Sequence, residues 1–206
     1  GYEINPGYAS DFDKQAPPPS ITNISRSAIT PNAMQTVDVT AEIFDTDGIV
    51  TGATLFYSAD QSAPLNLFSS ATMTVTTGVE YTASIPATPL DSVVRYYIEA
   101  TDDSMKTSTS SVDFYTVRAN GTTIMDIQEI PSFLTSSGDA SPLVGDTVTV
   151  TGFATASYQS GDLGYLYIQD TSANEWSGIY VDGGPTSVFT FDRGDEITVT
   201  GVVEEN

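Results

Sequence analysis

Residues 36–44 read Thr-Val-Asp-Val-Thr-Ala-Glu-Ile-Phe. Val37, Val39, Ala41 and Ile43 alternate with Thr36, Asp38, Thr40 and Glu42. Successive side chains of a β-strand point to opposite faces, so this stretch has one apolar face and one polar face. It reads as a strand with a core on one side and water on the other. Working outward, short runs of this kind recur between turn signals, at residues 20–26, 52–58, 66–68, 73–75, 79–85, 92–101 and 112–117. In the run from Ser92 the alternation shifts phase, with Tyr96 and Ile98 on one side and Tyr97 and Glu99 on the other. Further strands are expected at 146–156, 163–170, 177–182 and 195–203, with a strand and then a short helix within 122–134. Helical periodicity is otherwise scarce, and closely spaced short strands mark sandwiches and barrels. The expected class is all-β.

Three parts follow from this pattern. Residues 1–19 form an extended N-terminal arm in which Tyr2, Ile4, Tyr8 and Phe12 stand among polar residues. Tyr2 and Ile4 can share one face of a short strand, and Pro17-Pro18-Pro19 makes a stiff spacer. Residues 20–118, with about seven short strands, suggest an immunoglobulin-like β-sandwich. Residues 119–206 form a second β unit.

Two resemblances sharpen this. The first is carried by the Pro-rich lead-in, by Asp45-x-Asp47-Gly48 ahead of an LFYS strand, by Tyr81-Thr82-Ala83-Ser84-Ile85-Pro86, and by Arg95-Tyr96-Tyr97-Ile98-Glu99-Ala100-Thr101-Asp102. Together they resemble the immunoglobulin-like modules of secreted and surface-anchored bacterial proteins. The second is carried by SPLVGDTVTVTGFATA, GYLYIQDTSANEWSGIYVD and FDRGDEITVTGVVEEN. These resemble the OB-like β-barrel domains of secreted bacterial nucleases and lamin-tail surface proteins. Gly145-Asp146 and Gly194-Asp195 each open a strand that ends Thr-Val-Thr-Gly. The resemblance implies an OB-like barrel, but such a barrel has five strands, and four are counted before Asn206. The barrel is therefore expected to be incomplete. Trp176, at the strand entry of that unit, is expected to be packed, the usual fate of so large a side chain.

The chain carries 27 carboxylates against six cationic side chains, with no His and no Cys. Ser-His-Asp and Cys-His machinery, imidazole and thiolate metal sites, and disulfides are excluded. Hard-cation binding and paired-carboxylate chemistry remain, and nothing in the spacing of Asp162, Asp170, Glu175 and Asp182 selects a catalytic pair. No enzyme activity is expected. A net charge of -21 repels nucleic acid and anionic membranes. Residues 119–206 hold 13 acids and a single base, Arg193. A single-strand-binding groove needs cations beside its aromatics, so nucleic acid is not an expected partner. No apolar run approaches the roughly 18–20 residues that span a bilayer. Absent Cys, scarce Lys and β-rich composition favour an extracellular or cell-surface setting, and a start at Gly1-Tyr2-Glu3 without Met fits a mature or excised segment.

One candidate ligand site emerges. Residues 45–48 alone make a β-turn, and the spacing is not that of an EF-hand, since Phe56 stands where the bidentate Glu belongs. In an immunoglobulin sandwich, however, the loop holding Asp45 and Asp47 lies at the same end as the loop holding Asp102 and Asp103. The arm, with Asp11 and Asp13, leaves from that end too. Carboxylates converging there would take Ca²⁺, which binds 6–8 oxygens.

The functional expectation is a non-catalytic extracellular structural or adhesive protein. The open barrel exposes an edge to which the arm of a neighbouring copy could add a strand through Tyr2, Ile4, Tyr8 and Phe12. Such head-to-tail self-association propagates a filament or surface layer rather than closing a dimer. The alternative is the accessory, non-catalytic region of a larger secreted nuclease or phosphodiesterase.

Overall fold

The computed structural model describes residues 17–134, 140–157, 162–171, 175–183 and 191–205. Tyr2, Ile4, Tyr8, Phe12, Asp11 and Asp13 lie outside the described residues.

Nine strands build the first two sheets: β1 Ser20–Arg26, β2 Val37–Phe44, β3 Val50–Ser58, β4 Ser69–Thr72, β5 Thr74–Thr77, β6 Glu80–Ile85, β7 Val93–Asp102, β8 Thr107–Thr109 and β9 Asp113–Thr116. One sheet runs β1-β2-β6-β5; the other runs β4-β3-β7-β8, with β9 also paired to β7. The alternation in β2 is realised residue by residue: Val37, Val39, Ala41 and Ile43 are buried. They meet Leu55 from β3 and Val94, Tyr96 and Ile98 from β7 in one core between the sheets. The unit is sandwich-like because each sheet has one apolar face to hide.

Three segments depart from the sequence expectation. Residues 66–68 are not a strand: Asn66 and Leu67 lie in a 3-10 turn over Leu65–Leu67, and Phe68 follows it as the C-cap. That turn drops Phe68 onto the outer face of β7, 5.7 Å from the Tyr97 ring, while Phe56 stacks on the other part of that ring at 4.9 Å. The Arg95 guanidinium lies over Phe68 and Phe133, 4.9 and 5.4 Å from their centroids. It donates to the carbonyls of Asp60 and Ala63 at 2.9 and 2.6 Å. β7 is thus buried on both faces, and its phase shift reflects an aromatic outer layer. Residues 73–75 are likewise not one strand. The chain changes sheets at Met73, which is buried between β4 and β5.

The third departure lies within 122–134, which holds no strand. Thr123 caps helix α1, Ile124–Gln128, in a capping box with Asp126, and a 3-10 turn follows over Ser132–Leu134. A Thr-x-x-Asp box satisfies the first free amides of a helix, and Ile124 and Ile127, three apart, face the core.

The third sheet comprises β10 Thr147–Ala156, β11 Leu166–Gln169, β12 Gly178–Val181 and β13 Glu196–Val202, in the order β12-β11-β10-β13. Its inner face packs Val148, Val150, Ala154, Leu166 and Ile168 against α1, in a second core that Ile29 joins from just beyond β1. Arg26, the last residue of β1, spans the junction, with Asp113 and Asp146 each at 3.3 Å. All three sheets are antiparallel, and among the described residues none closes into a barrel. No described helix is long and apolar enough to cross a membrane.

Gly152 shows how tightly β10 and β11 approach. A Cβ there would stand 3.0 Å from both the carbonyl carbon and oxygen of Gln169 and 3.3 Å from its nitrogen. These are backbone atoms that cannot swing away. Gly152→Val is expected to cost about 1–3 kcal/mol in urea unfolding. Gly52→Val, where a Cβ meets nothing within 4 Å, is the control and should stay near neutral; equal losses at both positions would refute the close-approach argument.

Candidate functional site: loop end, aromatic face and open strand edge

The two acidic loops do sit together at the end where β1 begins. Ser20 pairs with Phe44, the residue before Asp45, and the Asp103 amide donates to the Ile49 carbonyl at 3.0 Å. Asp45 accepts from the Asp47 amide at 3.3 Å, as an Asx turn does. Its other oxygen and Asp103 Oδ1 converge on Gly48, 2.6 and 2.5 Å from where a Cβ would be. Glycine leaves room for the two carboxylates to face each other. Asp102 behaves differently. It is only 2% exposed and turns back to close the β7–β8 hairpin, Oδ1 accepting from the Lys106 amide at 2.8 Å. Thr51 ties the loops by donating to the Thr101 and Asp102 carbonyls at 3.1 and 2.9 Å. So Asp45 and Asp103 are brought together, Asp47 serves its own turn, and Asp102 serves the hairpin. Among the described residues no three carboxylates gather as a metal ion requires.

The third sheet carries an aromatic face built from tyrosines that the sequence offers in this unit. The Tyr180 ring lies 5.9 Å from that of Tyr165 and 5.4 Å from that of Tyr167. Tyr167 and Tyr180 also line a groove of about 340 Å³, together with Gln128, Thr155, Leu163 and Gln169. Trp176, expected to be packed, is 55% exposed and holds φ at +56°. The reason is local: in a left-handed turn ahead of β12 its side chain projects off the sheet. The period-2 pattern of β11 and β12 could have signalled the tyrosines, since Tyr167 and Tyr180 pair directly across the strands.

The described arginines are engaged within the chain. Arg26 bonds Asp113 and Asp146, Arg95 is buried among carbonyls and rings, and Arg118 bonds Asp91 and Asp126. Arg193 clasps Asp162, donating from Nε at 2.9 Å. Those bonds, chiefly the one from Arg193, hold the Asp162 carboxyl well below the usual carboxylate range and raise Arg193 in turn.

The remaining candidate is backbone. β13 is the outermost strand of its sheet. It is seven residues long, pairs with β10 without a register shift, and contains no Pro and no Lys. Natural edges are normally blunted by such residues, by bulges or by shortness. By contrast β1 and β5 carry register shifts, and β12 is four residues long. No protein-family model matches this chain, and no curated protein matches it either.

Proposed function

We propose that this chain is a non-catalytic structural subunit of a bacterial exterior, built from an immunoglobulin-like sandwich and an open OB-like sheet, and joined to its neighbours by strand addition from the N-terminal arm. The observation that carries this reading is the placement of donor and acceptor. The arm joins β1 at Ser20, and β1 then runs about 20 Å, at roughly 3.3 Å per residue, to Arg26. Arg26 touches Asp146, at the foot of the third sheet. The root of the arm and Asp146, which accepts from the Val203 amide just past the open strand β13, are therefore about one strand length apart. A donor segment and an acceptor strand at two different places on one subunit make a heterologous contact between copies, which propagates a fibre where the rotation does not close.

Chemistry favours the same reading. The described arginines are engaged within the chain, which leaves none of them to neutralise phosphates, and the acidic surface resists nucleic acid. The exposed aromatic face supplies the adhesive side of the role, since tyrosine and tryptophan dominate contact surfaces. The test is removal of residues 1–16. Full-length chain should form assemblies by light scattering and electron microscopy, and the truncated chain should stay a folded monomer. Assemblies of native length from the truncated chain would overturn strand donation by the arm.

A further inference from the structure

The local two-fold axis of the antiparallel β10–β13 pair extends beyond the ladder into the flanking turns and the sequence itself. β10 and β13 pair from Thr147↔Val202 to Phe153↔Glu196, so that Val150 faces Val199 at the centre. About that centre the backbone contacts at the two turns recur. The Gly145 amide donates to the Val203 carbonyl at 2.9 Å, and its counterpart Gly194 donates to the Ala154 carbonyl at 2.8 Å. Val203 donates to the Asp146 carbonyl at 3.0 Å, and Ala154 to the Asp195 carbonyl at 2.9 Å. The hydroxyl pairs Thr149–Thr200 and Thr151–Thr198 are both 2.8 Å. Gly145 and Gly194 both hold positive φ, +88° and +94°, a conformation that favours glycine. The repeated Gly-Asp and Thr-Val-Thr-Gly elements are thus two halves of one symmetric ribbon.

The symmetry breaks at one place. On its outer side β10 receives β11, with Phe153↔Gln169 and Ala154↔Ile168 paired, and the Gln169 backbone crosses within 3.0 Å of the Cβ position of Gly152. The counterparts of those β10 residues on the other half are Val202, Val203 and Gly201. Among the described residues no strand lies beyond β13 in the sheet, and a Cβ on Gly201 would meet none of their atoms within 4 Å. Val203 spends its amide and carbonyl on Asp146 and Gly145, just ahead of β10. Backbone groups alternate sides along an antiparallel strand, so those of Val202 and Glu204 point to the open side.

We infer that this edge is a preformed acceptor slot in which an incoming strand sits on Val202 and Glu204 as β11 sits on β10, crossing at Gly201. The inference rests on the proposed function in naming the occupant, the arm of a second copy. The arm's own pattern fits the template. β11 reads Leu166-Tyr167-Ile168-Gln169, with Leu166 and Ile168 inward, and the arm reads Tyr2-Glu3-Ile4-Asn5, with the same alternation. Pro6 follows and ends the run, since it cannot donate to a ladder. The 19 residues ahead of Ser20 reach up to about 60 Å when extended, well beyond the roughly 13 Å that a four-residue strand occupies.

The test uses the full chain and two variants. Val202→Pro removes only an outward amide, which an edge strand tolerates. Gly201→Val fills the space that the crossing strand would need. Both should keep the wild-type melting temperature while raising the concentration needed for assembly about tenfold or more. In wild-type assemblies, hydrogen exchange at the Val202 and Glu204 amides should slow relative to the dilute subunit. Folded variants that assemble like the wild type, or amides that stay unprotected in assemblies, overturn the slot. If arm deletion still abolishes assembly in that case, the functional reading survives and only the acceptor is wrong. A wild-type chain that stays monomeric at every concentration overturns both.

Discussion

Asp126→Ala is expected to destabilise the protein by about 3–5 kcal/mol, the cost of leaving a buried charge without its partner. The Asp126 side chain is 5% exposed, and each of its oxygens is engaged more than once. Arg118 Nε donates to both at 3.1 Å and Nη2 to Oδ1 at 2.6 Å. The amide and hydroxyl of Thr123 donate to Oδ2 at 2.9 and 2.8 Å. Removing the carboxylate therefore ends the capping box of α1 as well as a bidentate ion pair. Arg118 then keeps Asp91 as its carboxylate partner, and Asp91 is largely solvated. Because Arg118 itself is 22% exposed, water recovers part of the loss, which places the effect toward the lower figure. Arg118→Met combined with Asp126→Leu should restore stability relative to Asp126→Ala, since an apolar pair of similar size avoids the orphaned charge. Urea unfolding of the three variants decides the matter. A loss below about 1 kcal/mol for Asp126→Ala, the size of a surface pair, would show that the contact is ornamental.

That ion pair also illustrates what a sequence can and cannot disclose. β2 was legible because its signal is local: four apolar residues at period two need no knowledge of what they pack against. β10 and β13 were legible for the same reason, and their repeated Gly-Asp openings showed as a doublet. Their pairing with each other was not, because register is set by the partner strand and not by either strand alone. The strand proposed at 66–68 failed because Phe68 finds a better burial against Tyr97 and Arg95 than a sheet edge offers. The meeting of Asp45 with Asp103 could be foreseen from loop topology. The inward turn of Asp102 could not, since it depends on a tight hairpin in which Met105 holds φ at +62° and Lys106 presents its amide to the carboxylate. Trp176 departed from packing for a similar reason, a left-handed backbone angle that no composition rule announces.

Raising the pH from 10 to 12 is expected to unfold the sandwich at room temperature. Tyr96 and Tyr115 are 1% and 2% exposed, with rings 6.3 Å apart in the core between the sheets. Burial pushes the Tyr115 hydroxyl up from 10.0 to about 12. Burial, and then the charge of Asp113, push Tyr96 up as well; its hydroxyl donates to Asp113 at 2.5 Å, a bond only the neutral form can make. Both folded values lie above the unfolded one, so the unfolded chain releases its protons first as pH rises. Stability is therefore complete below pH 10 and declines as pH climbs through the folded values. Tyr115 contributes about 2 kcal/mol to that decline once solvent screening near its hydroxyl is allowed for. With Tyr96 the total is on the order of 4–5 kcal/mol, comparable with the whole stability of a marginal domain. Between about pH 6 and 9 the profile should be flat, because the chain has no His or Cys to titrate there. Circular dichroism melts from pH 7 to 12, with phenolate absorbance followed in parallel, read the effect directly. Unfolding should coincide with the appearance of two extra phenolates. The double variant Tyr96→Phe, Tyr115→Phe should retain its melting temperature to higher pH than the wild type, and an identical alkaline loss in that variant would remove the two buried tyrosines as the cause.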